Sequence, residues 1–385
     1  MWKALASNML TILAVVLFLL AGVILWGKSQ YSAQGPLDEP ICFRVERGTN
    51  MTRVSRELER AGAISSGVIF RMGADYSDKT ADLKAGSFLV PEGASMAAIV
   101  DAITRGGAST CGTEVVYRIG IGNTVALVRE LDPATQKYVE RADFDPAGEA
   151  PALYTEKVGE PDTRFRIAMA EGVTSWQVVE ALKAIDVLSG EVAEHPPEGS
   201  LAPDSYEIRP GTERTAVLDE MQGRQTLLLN AAWESREADL PLASPQELLI
   251  LASIVEKETG LPDERGQVAA VFVNRLRQGM RLQTDPTVIY GLTKGKGGLG
   301  RGLRQSELRK ITPWNTYVID GLPPTPIANP GAASLEAAAH PGSSDFLFFV
   351  ADGTGGHAFA ETLEEHNRNV AKWREIEAQQ AAPQD

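Results

Sequence analysis

The sequence predicts an α+β protein with an N-terminal transmembrane helix, small strand–helix units, and a mixed α/β domain centred on a glutamate-bearing helix. Three observations carry this expectation. An uncharged apolar run lies near the N-terminus, a glycine–cap–helix pattern recurs through the first half, and one strongly punctuated helix occupies residues 244–260.

The apolar run comes first. No charged residue occurs between Ala4 and Gly27, and residues 9–26 are almost wholly apolar. That length crosses a hydrocarbon core of about 30 Å as a helix. Trp2 and Trp26 stand where interfacial aromatics belong. A signal peptide is the alternative, since Lys3 gives a basic start, but the run is long for one and no A-x-A-like site follows Trp26. A signal anchor is therefore expected, with a short cytoplasmic tip and the remainder exported. The net charge of −14 offers no basic stripe for phosphates, which argues against a nucleic-acid partner. The two cysteines, Cys42 and Cys111, lack zinc-type spacing and read either as a disulfide in an oxidising compartment or as two unpaired residues.

Residues 29–40 are polar and read as a linker. Beyond them Gly48-Thr-Asn50 precedes Val54, Gly93-Ala-Ser95 precedes Ile99, Gly122-Asn-Thr124 precedes Val128, and Gly172-Val-Thr174 precedes Val178. Each copy is a turn glycine, a capping side chain and an amphipathic helix, several of them after a short β-like run. Residues 106–163 read as an insertion or extended β segment, with a strand at 114–119. A long helix over 214–238 leads to the central one, and a second helix follows over 263–278. The chain is then loop-rich to Pro330. A helix at 334–339, a buried strand at 346–350 and a terminal helix at 363–377 complete it.

In SPQELLILASIVEKETG, Ser244 is a good N-cap, Pro245 suits the first turn, Glu247 completes a capping box, and Gly260 is expected as a left-handed C-cap. At about 100° per residue, Leu248, Leu251, Ile254 and Val255 share a face with Glu258, whereas Glu256 points away among Gln246, Ser253 and Lys257. A carboxyl on the apolar face is desolvated and holds its proton, the profile of a general acid. The other reading of Glu258 is a solvated or salt-bridged residue near a helix end.

Downstream, RLQTDPTVIY gathers Gln283, Thr284, Asp285 and Tyr290 into a short irregular stretch, followed by WNTY and GLPPTPIANP. Such proline-stiffened loops suit a carbohydrate groove, and they equally suit plain structural turns. The four histidines form no HExxH and no GxSxG occurs, so neither a zinc site nor a serine nucleophile is expected, and no cofactor. GKGGLGRG is not a P-loop. Glu256 and Glu258 diverge too far to be a glycosidase pair, so a second carboxylate would have to be Asp285 or Asp204. Failing that, one carboxyl must serve as acid and then base.

The run LASIVEKETGLPDERGQVAAVFVNRLRQGMRLQTDPTVIYG, with WNTY, GLPPTPIANPG, AAAHP, FVADGTGGHAF and PDSY, closely resembles the endolytic murein transglycosylases, the MltG or YceG-like family. The resemblance implies residues 1–28 as cytoplasmic tip and signal anchor and 29–40 as linker. It implies 41–105 as a LysM-like subdomain and 164–243 as a second LysM-like unit with a connecting helix, while 106–163, an insertion or extended β segment, has no clear counterpart in the family. Residues 244–377 would be the catalytic domain and 378–385 a polar tail. It implies a single-pass inner-membrane enzyme facing the periplasm. Such an enzyme cuts MurNAc-β-1,4-GlcNAc bonds within peptidoglycan strands, leaves 1,6-anhydro-MurNAc ends, and is associated with penicillin-binding glycan synthases. The catalytic glutamate falls on Glu258, with Gln283, Asp285, Tyr290, Asn315, Tyr317 and Asn329 expected along the groove. Trp314 stands where the family commonly has Tyr, and Thr325 where it commonly has Gly. The alternatives are a tethered, non-enzymatic wall-binding protein and a two-carboxylate muramidase.

Overall fold

A computed structural model describes residues 2–105, 110–160 and 162–381. Residue 1, residues 106–109, residue 161 and residues 382–385 lie outside the described set, and with them parts of the segments expected as cytoplasmic tip, 106–163 insertion and polar tail. The chain is mixed α and β and divides into two compact units. The first comprises Met1–Val115, Leu127–Asp143 and Ala150–Arg164, and the second Val116–Ala126, Phe144–Glu149 and Phe165–Asp385.

The first unit runs α1 (Trp2–Ser32), β1 (Ile41–Val45), α2 (Met51–Arg60), α3 (Gly67–Tyr76), β2 (Gly86–Val90) and α4 (Met96–Thr104). Within α1, Met9–Ser32 is long and apolar enough to cross a membrane, and the side chains of residues 9–26 are all exposed. A soluble core helix would bury such a surface, because each Å² of apolar area left in water costs about 25 cal/mol. The helix continues into the stretch expected as linker. Tyr31 packs onto α3, where a Cβ on Gly73 would come within 2.2 Å of the tyrosine ring.

β1 and β2 pair antiparallel, with Ile41 opposite Val90 and Val45 opposite Gly86. Asn50 and Ser95 cap α2 and α4 by accepting the N–H groups of Arg53 and Ala98. Apolar residues from all these elements, including Val54, Leu58, Phe70 and Ile99, form one core. Cys42 on β1 is joined to Cys111 by a disulfide, with Cα atoms 5.7 Å apart.

Three strands follow, β3 (Thr113–Ile119), β4 (Thr124–Asp132) and β5 (Lys137–Phe144), and then α5 (Ala152–Lys157). The helix expected after Gly122-Asn-Thr124 does not form, because this stretch is β4. Gly48, Gly93 and Gly172 take positive φ (76°, 63° and 74°) and turn the chain into a cap, whereas Gly122 does not. Thr124, Val125 and Val128 supply the β-branching that favours a strand.

In the second unit the ends of β4 and β3 continue through β6 (Arg164–Met169) to β7 (Ser205–Ile208), in the order β4-β3-β6-β7. β6 and β7 pair antiparallel, Ile167 opposite Tyr206. The helices are α6 (Ser175–Ala184), α7 (Arg214–Ser235), α8 (Pro245–Glu258), α9 (Pro262–Arg277), α10 (Asp285–Thr293), α11 (Gln305–Leu308) and α12 (Ala332–Ala339). A hairpin of β8 (Phe348–Ala351) and β9 (His357–Ala360) precedes α13 (Leu363–Ala381). Thr174 caps α6 in a full capping box with Gln177.

Three expectations change here. The stretch read as irregular after Arg281 contains α10, with Pro286 in its first turn. The strand expected at 346–350 is only half-buried and is one arm of a hairpin whose second arm carries His357. And α8 is not amphipathic in place, since Leu248 through Val255 are buried without exception. Its core partners come from α7, α9 and α12, among them Ala232, Phe272 and Leu335. Ser253, expected on a polar face, is fully buried, donating to the Ile250 carbonyl (2.7 Å) and accepting the Ile327 N–H (3.0 Å).

Ser244 caps α8 by accepting the Glu247 N–H, but Glu247 reaches back to the Ala243 N–H (2.6 Å), one residue short of a true box. At the other end the helix stops at Glu258 because Thr259 turns extended (φ −140°, ψ 134°), so Gly260 is not a left-handed cap.

The disulfide closes a separation of 69 residues. Its removal by Cys42→Ser, or its reduction, is expected to cost about 2–4 kcal/mol of unfolding free energy by freeing the unfolded chain. Urea melts with and without dithiothreitol measure this, and superimposable curves would exclude a stabilising bond.

Candidate active site

Glu258 is the last residue of a helix sunk in the core, and what lies beyond it determines its chemistry. The Thr284 hydroxyl donates to Glu258 Oε1. Thr284 is itself fixed by buried neighbours. Its N–H donates to Thr316 Oγ1 (3.0 Å), Thr287 Oγ1 donates to the Thr284 carbonyl (2.7 Å), and the Thr287 and Thr316 hydroxyls are 2.9 Å apart. Gln283 takes φ +50°, a conformation uncommon outside glycine, at the bend that delivers Thr284.

Burial raises the proton affinity of Glu258 above the ordinary glutamate range. The Thr284 hydrogen bond opposes this, the charge of Asp285 reinforces it, and His357 and Arg275 oppose it more weakly. Arg275 is buried and committed elsewhere. Its Nε donates to the Leu347 carbonyl (2.7 Å) and its Nη1 to the Leu282 carbonyl (2.6 Å). It therefore acts on Glu258 as a nearby charge, and among the described residues no ion pair pulls the carboxyl back to an ordinary pKa. Asp285 accepts the Tyr317 hydroxyl (2.7 Å), and burial followed by this bond raises the phenol's pKa. Glu258 and His357 line an open cleft of about 400 Å³ beside the β8–β9 turn. A protonated carboxyl at the wall of a cleft can deliver a proton to a bound molecule and recover one from it.

The expected groove residues part into two groups, with Tyr290 apart from both. Gln283 and Asp285 flank Thr284, and Tyr317 is bonded to Asp285, so Asp285 and Tyr317 lie near Glu258 and Gln283 adjoins the residue that bonds it. Asn315 and Asn329 are fully buried and offer no group to a groove. Asn315 Nδ2 donates to the carbonyls of Glu307, Leu308 and Lys310, and its Oδ1 accepts the Tyr317 N–H. Asn329 donates to the Val173 carbonyl (2.9 Å) and accepts the Leu201 N–H (2.9 Å).

Tyr290 is half-buried, its ring tilted against Trp314 at 5.9 Å and its hydroxyl bonded to Glu198, a carboxyl whose pKa burial raises. Trp314 and Thr325, the two residues expected to depart from the family pattern, touch each other: the indole N–H donates to the threonine hydroxyl (2.9 Å). Asp204, an alternative second carboxylate, is bonded to the Ser205 N–H and to Arg224, which hold its pKa low. Glu256 accepts the Gly331 N–H (3.0 Å) and Lys257 donates to the Gly172 carbonyl (3.2 Å), so both join loops to α8.

Sequence reasoning passed over Thr284 as a partner and Arg275 and Glu264 altogether, and weighed His357 only as a possible zinc ligand. Thr284 lay inside a segment already singled out. The His357–Glu264 contact joins residues 93 apart and leaves no local trace.

The YceG-like family model matches residues 43–372. An endolytic murein transglycosylase of Bacillus subtilis (strain 168) is 28% identical over 361 residues, covering 92% of this chain and 91% of that protein. An endolytic murein transglycosylase of Streptococcus pneumoniae serotype 2 is 30% identical over 335 residues, 85% of this chain, which spans only 57% of that longer protein. A solved structure of a yceG-like protein from Listeria monocytogenes is 26% identical, with a TM-score of 0.45 over 86% of this chain and 99% of its own.

Two outcomes follow from the geometry. A glutamate whose folded pKa is raised stabilises fully only below its unfolded pKa of about 4.3, and that stability is lost as pH rises through the folded value. Glu258→Gln is therefore expected to melt above wild type at pH 7, with the gap closing below about pH 4. An unchanged gap across pH would show an ordinary carboxyl. Asn329→Ala leaves the Leu201 N–H without its buried partner, while the Val173 carbonyl keeps the residue's backbone N–H, and should destabilise by about 1–3 kcal/mol, read by thermal or urea melts.

Proposed function

The chain belongs to the YceG-like family, and on that premise we propose that it is a membrane-anchored endolytic peptidoglycan lytic transglycosylase. The name shared by its curated relatives supports this reading. The observation that carries it in this chain is a carboxyl of raised proton affinity, Glu258, lining an open cleft. α1 serves as the membrane anchor, and the Cys42–Cys111 disulfide is consistent with an oxidising, exported compartment. Together these favour an inner-membrane protein whose catalytic domain, residues 244–377, faces the periplasm. The antiparallel β1 and β2 with two helices between them support a LysM-like, glycan-binding reading of residues 41–105.

In the proposed reaction Glu258 is protonated and gives its proton to the O4 of GlcNAc as the bond from MurNAc C1 breaks. The C6 hydroxyl of the same MurNAc attacks C1, and Glu258, now a carboxylate, takes the hydroxyl proton. The product is a 1,6-anhydro end, no water is consumed, and the carboxyl returns to its starting state. An intramolecular nucleophile brings a high effective molarity, so one acid–base group suffices. Thr284 orients the carboxyl, and Gln283, Asp285 and Tyr317 bind the strand around it. Termination of strands made by penicillin-binding synthases is the role this activity suits.

A second reading has a specific observation in its favour. Asp285 is near enough to Glu258 to raise its pKa by charge, and it could instead activate water, as in a two-carboxylate muramidase. Mass spectrometry of glycan strands digested by the exported part separates the readings. Lytic cleavage leaves ends lighter by one water than hydrolysis, and a binding protein leaves the strands intact. Glu258→Gln is expected to reduce cleavage at least about a thousandfold while the fold persists. Glu256→Gln, whose amide oxygen can still accept the Gly331 N–H, is expected to retain most activity. Equal loss in both variants would refute the assignment of Glu258 as the sole acid.

A further inference from the structure

The terminal helix brings to the Glu258 cleft an aromatic side chain that the proposed reaction leaves without a role. His366, Asn369, Trp373 and Ile376 follow one another at spacings of three, four and three, so they share one face of α13. Three of them hold the helix to the β8–β9 hairpin. The His366 ring stacks on Phe348 with centroids 5.2 Å apart, and Asn369 donates to the Phe359 carbonyl (3.5 Å). Ile376 sits over Gly353, where a Cβ would come within 2.8 Å of it. Trp373, between Asn369 and Ile376, is only half-buried and lines the same cleft as Glu258 and His357.

Part of the rest of that wall is open main chain. Gly355 takes φ +94° in the turn between β8 and β9 and has nothing within 4 Å of where a Cβ would stand, so a flat ligand can lie close to the backbone there. His357 is held in one orientation by Glu264, whose Oε1 accepts its backbone N–H (2.8 Å) and whose Oε2 is 2.9 Å from its Nδ1. A Cβ on Gly356 would stand 2.5 Å from Glu264 Oε1, so that residue must be glycine for the carboxylate to reach. With Nδ1 engaged, Nε2 is the ring edge left for a ligand.

A flat apolar indole beside one oriented polar edge, in a cleft of about 400 Å³, matches a pyranose with its C–H face and hydroxyl rim. We propose that Trp373 and His357 form a glycan subsite in the Glu258 cleft, the indole lying against the face of a sugar ring and His357 bonding one of its hydroxyls. The subsite rests on the reading of Glu258 as the acid of a glycan-cleaving enzyme and adds which residues bind the sugar beside it.

The test uses a peptide-free GlcNAc–MurNAc oligosaccharide and the Glu258→Gln protein, which binds without cutting. Adding Trp373→Ala is expected to weaken calorimetric binding about tenfold, whereas Trp373→Phe keeps most of the affinity and His357→Gln loses part of it. With fluorotryptophan incorporated, the fluorine resonance that Trp373→Phe removes is expected to shift on adding the sugar, which a purely packing role would not produce. Undiminished affinity in Trp373→Ala, or a resonance unmoved at saturation, overturns the subsite. Cleavage by the wild type is read in parallel. If strands are cut to anhydro ends but Trp373 does not respond, only the subsite falls, and if nothing is cut and nothing binds, both readings fall.

Discussion

The bond from the Thr284 hydroxyl to the Glu258 carboxyl is the contact around which the site is built. A carboxyl at the end of a buried helix faces two opposed demands. It must be kept from water to hold a proton near neutral pH, yet a buried polar group with no partner costs several kcal/mol. A neutral hydroxyl meets both, since it satisfies an oxygen without supplying the full charge that would return the carboxyl to an ordinary pKa. Arg275 could have supplied that charge, but two carbonyls hold its guanidinium. The three buried threonines fix the hydroxyl in place, so the proton affinity of Glu258 follows from packing at residues 284, 287 and 316.

The loops that deliver these groups are held by buried polar side chains. Asn315 closes the turn before Tyr317 with three carbonyl contacts and one N–H, and Asn329 ties its loop to Val173 and Leu201. Ser253 in mid-helix accepts the Ile327 N–H, and Glu256 accepts that of Gly331. Irregular chain can lie against a core only if its backbone groups are satisfied there. The polar residues of these segments that looked suited to a sugar therefore divide between holding the backbone and standing near Glu258. Trp314 and Thr325 are bonded to each other, so the two positions form a single local feature.

Much of the architecture was legible along the chain. The apolar span of α1, the punctuation of α8 and the periodicity of α9 are local signals, and three of the four glycine–cap–helix units formed with the expected Asn50, Ser95 and Thr174 caps. The fourth became β4 because its glycine does not turn through positive φ and β-branched residues follow it. The position of Glu258 at the head of an apolar stripe was visible for the same reason, since helical spacing is a property of consecutive residues. The expected polar face of α8 was not there, because loops that arrive from Gly172, Ile327 and Gly331 cover it.

By itself the sequence determined most of the elements and their caps, the apolar N-terminal helix, and the candidacy of one glutamate, because propensity, periodicity and turn chemistry act over a few residues. Only the tertiary structure decided what surrounds that glutamate. Thr284 reaches it across 26 residues of chain, and Glu264 meets His357 across 93, pairings that local pattern cannot encode. Proton affinity depends on burial and on neighbours in space, so the chemistry of the site exists only once the chain has folded.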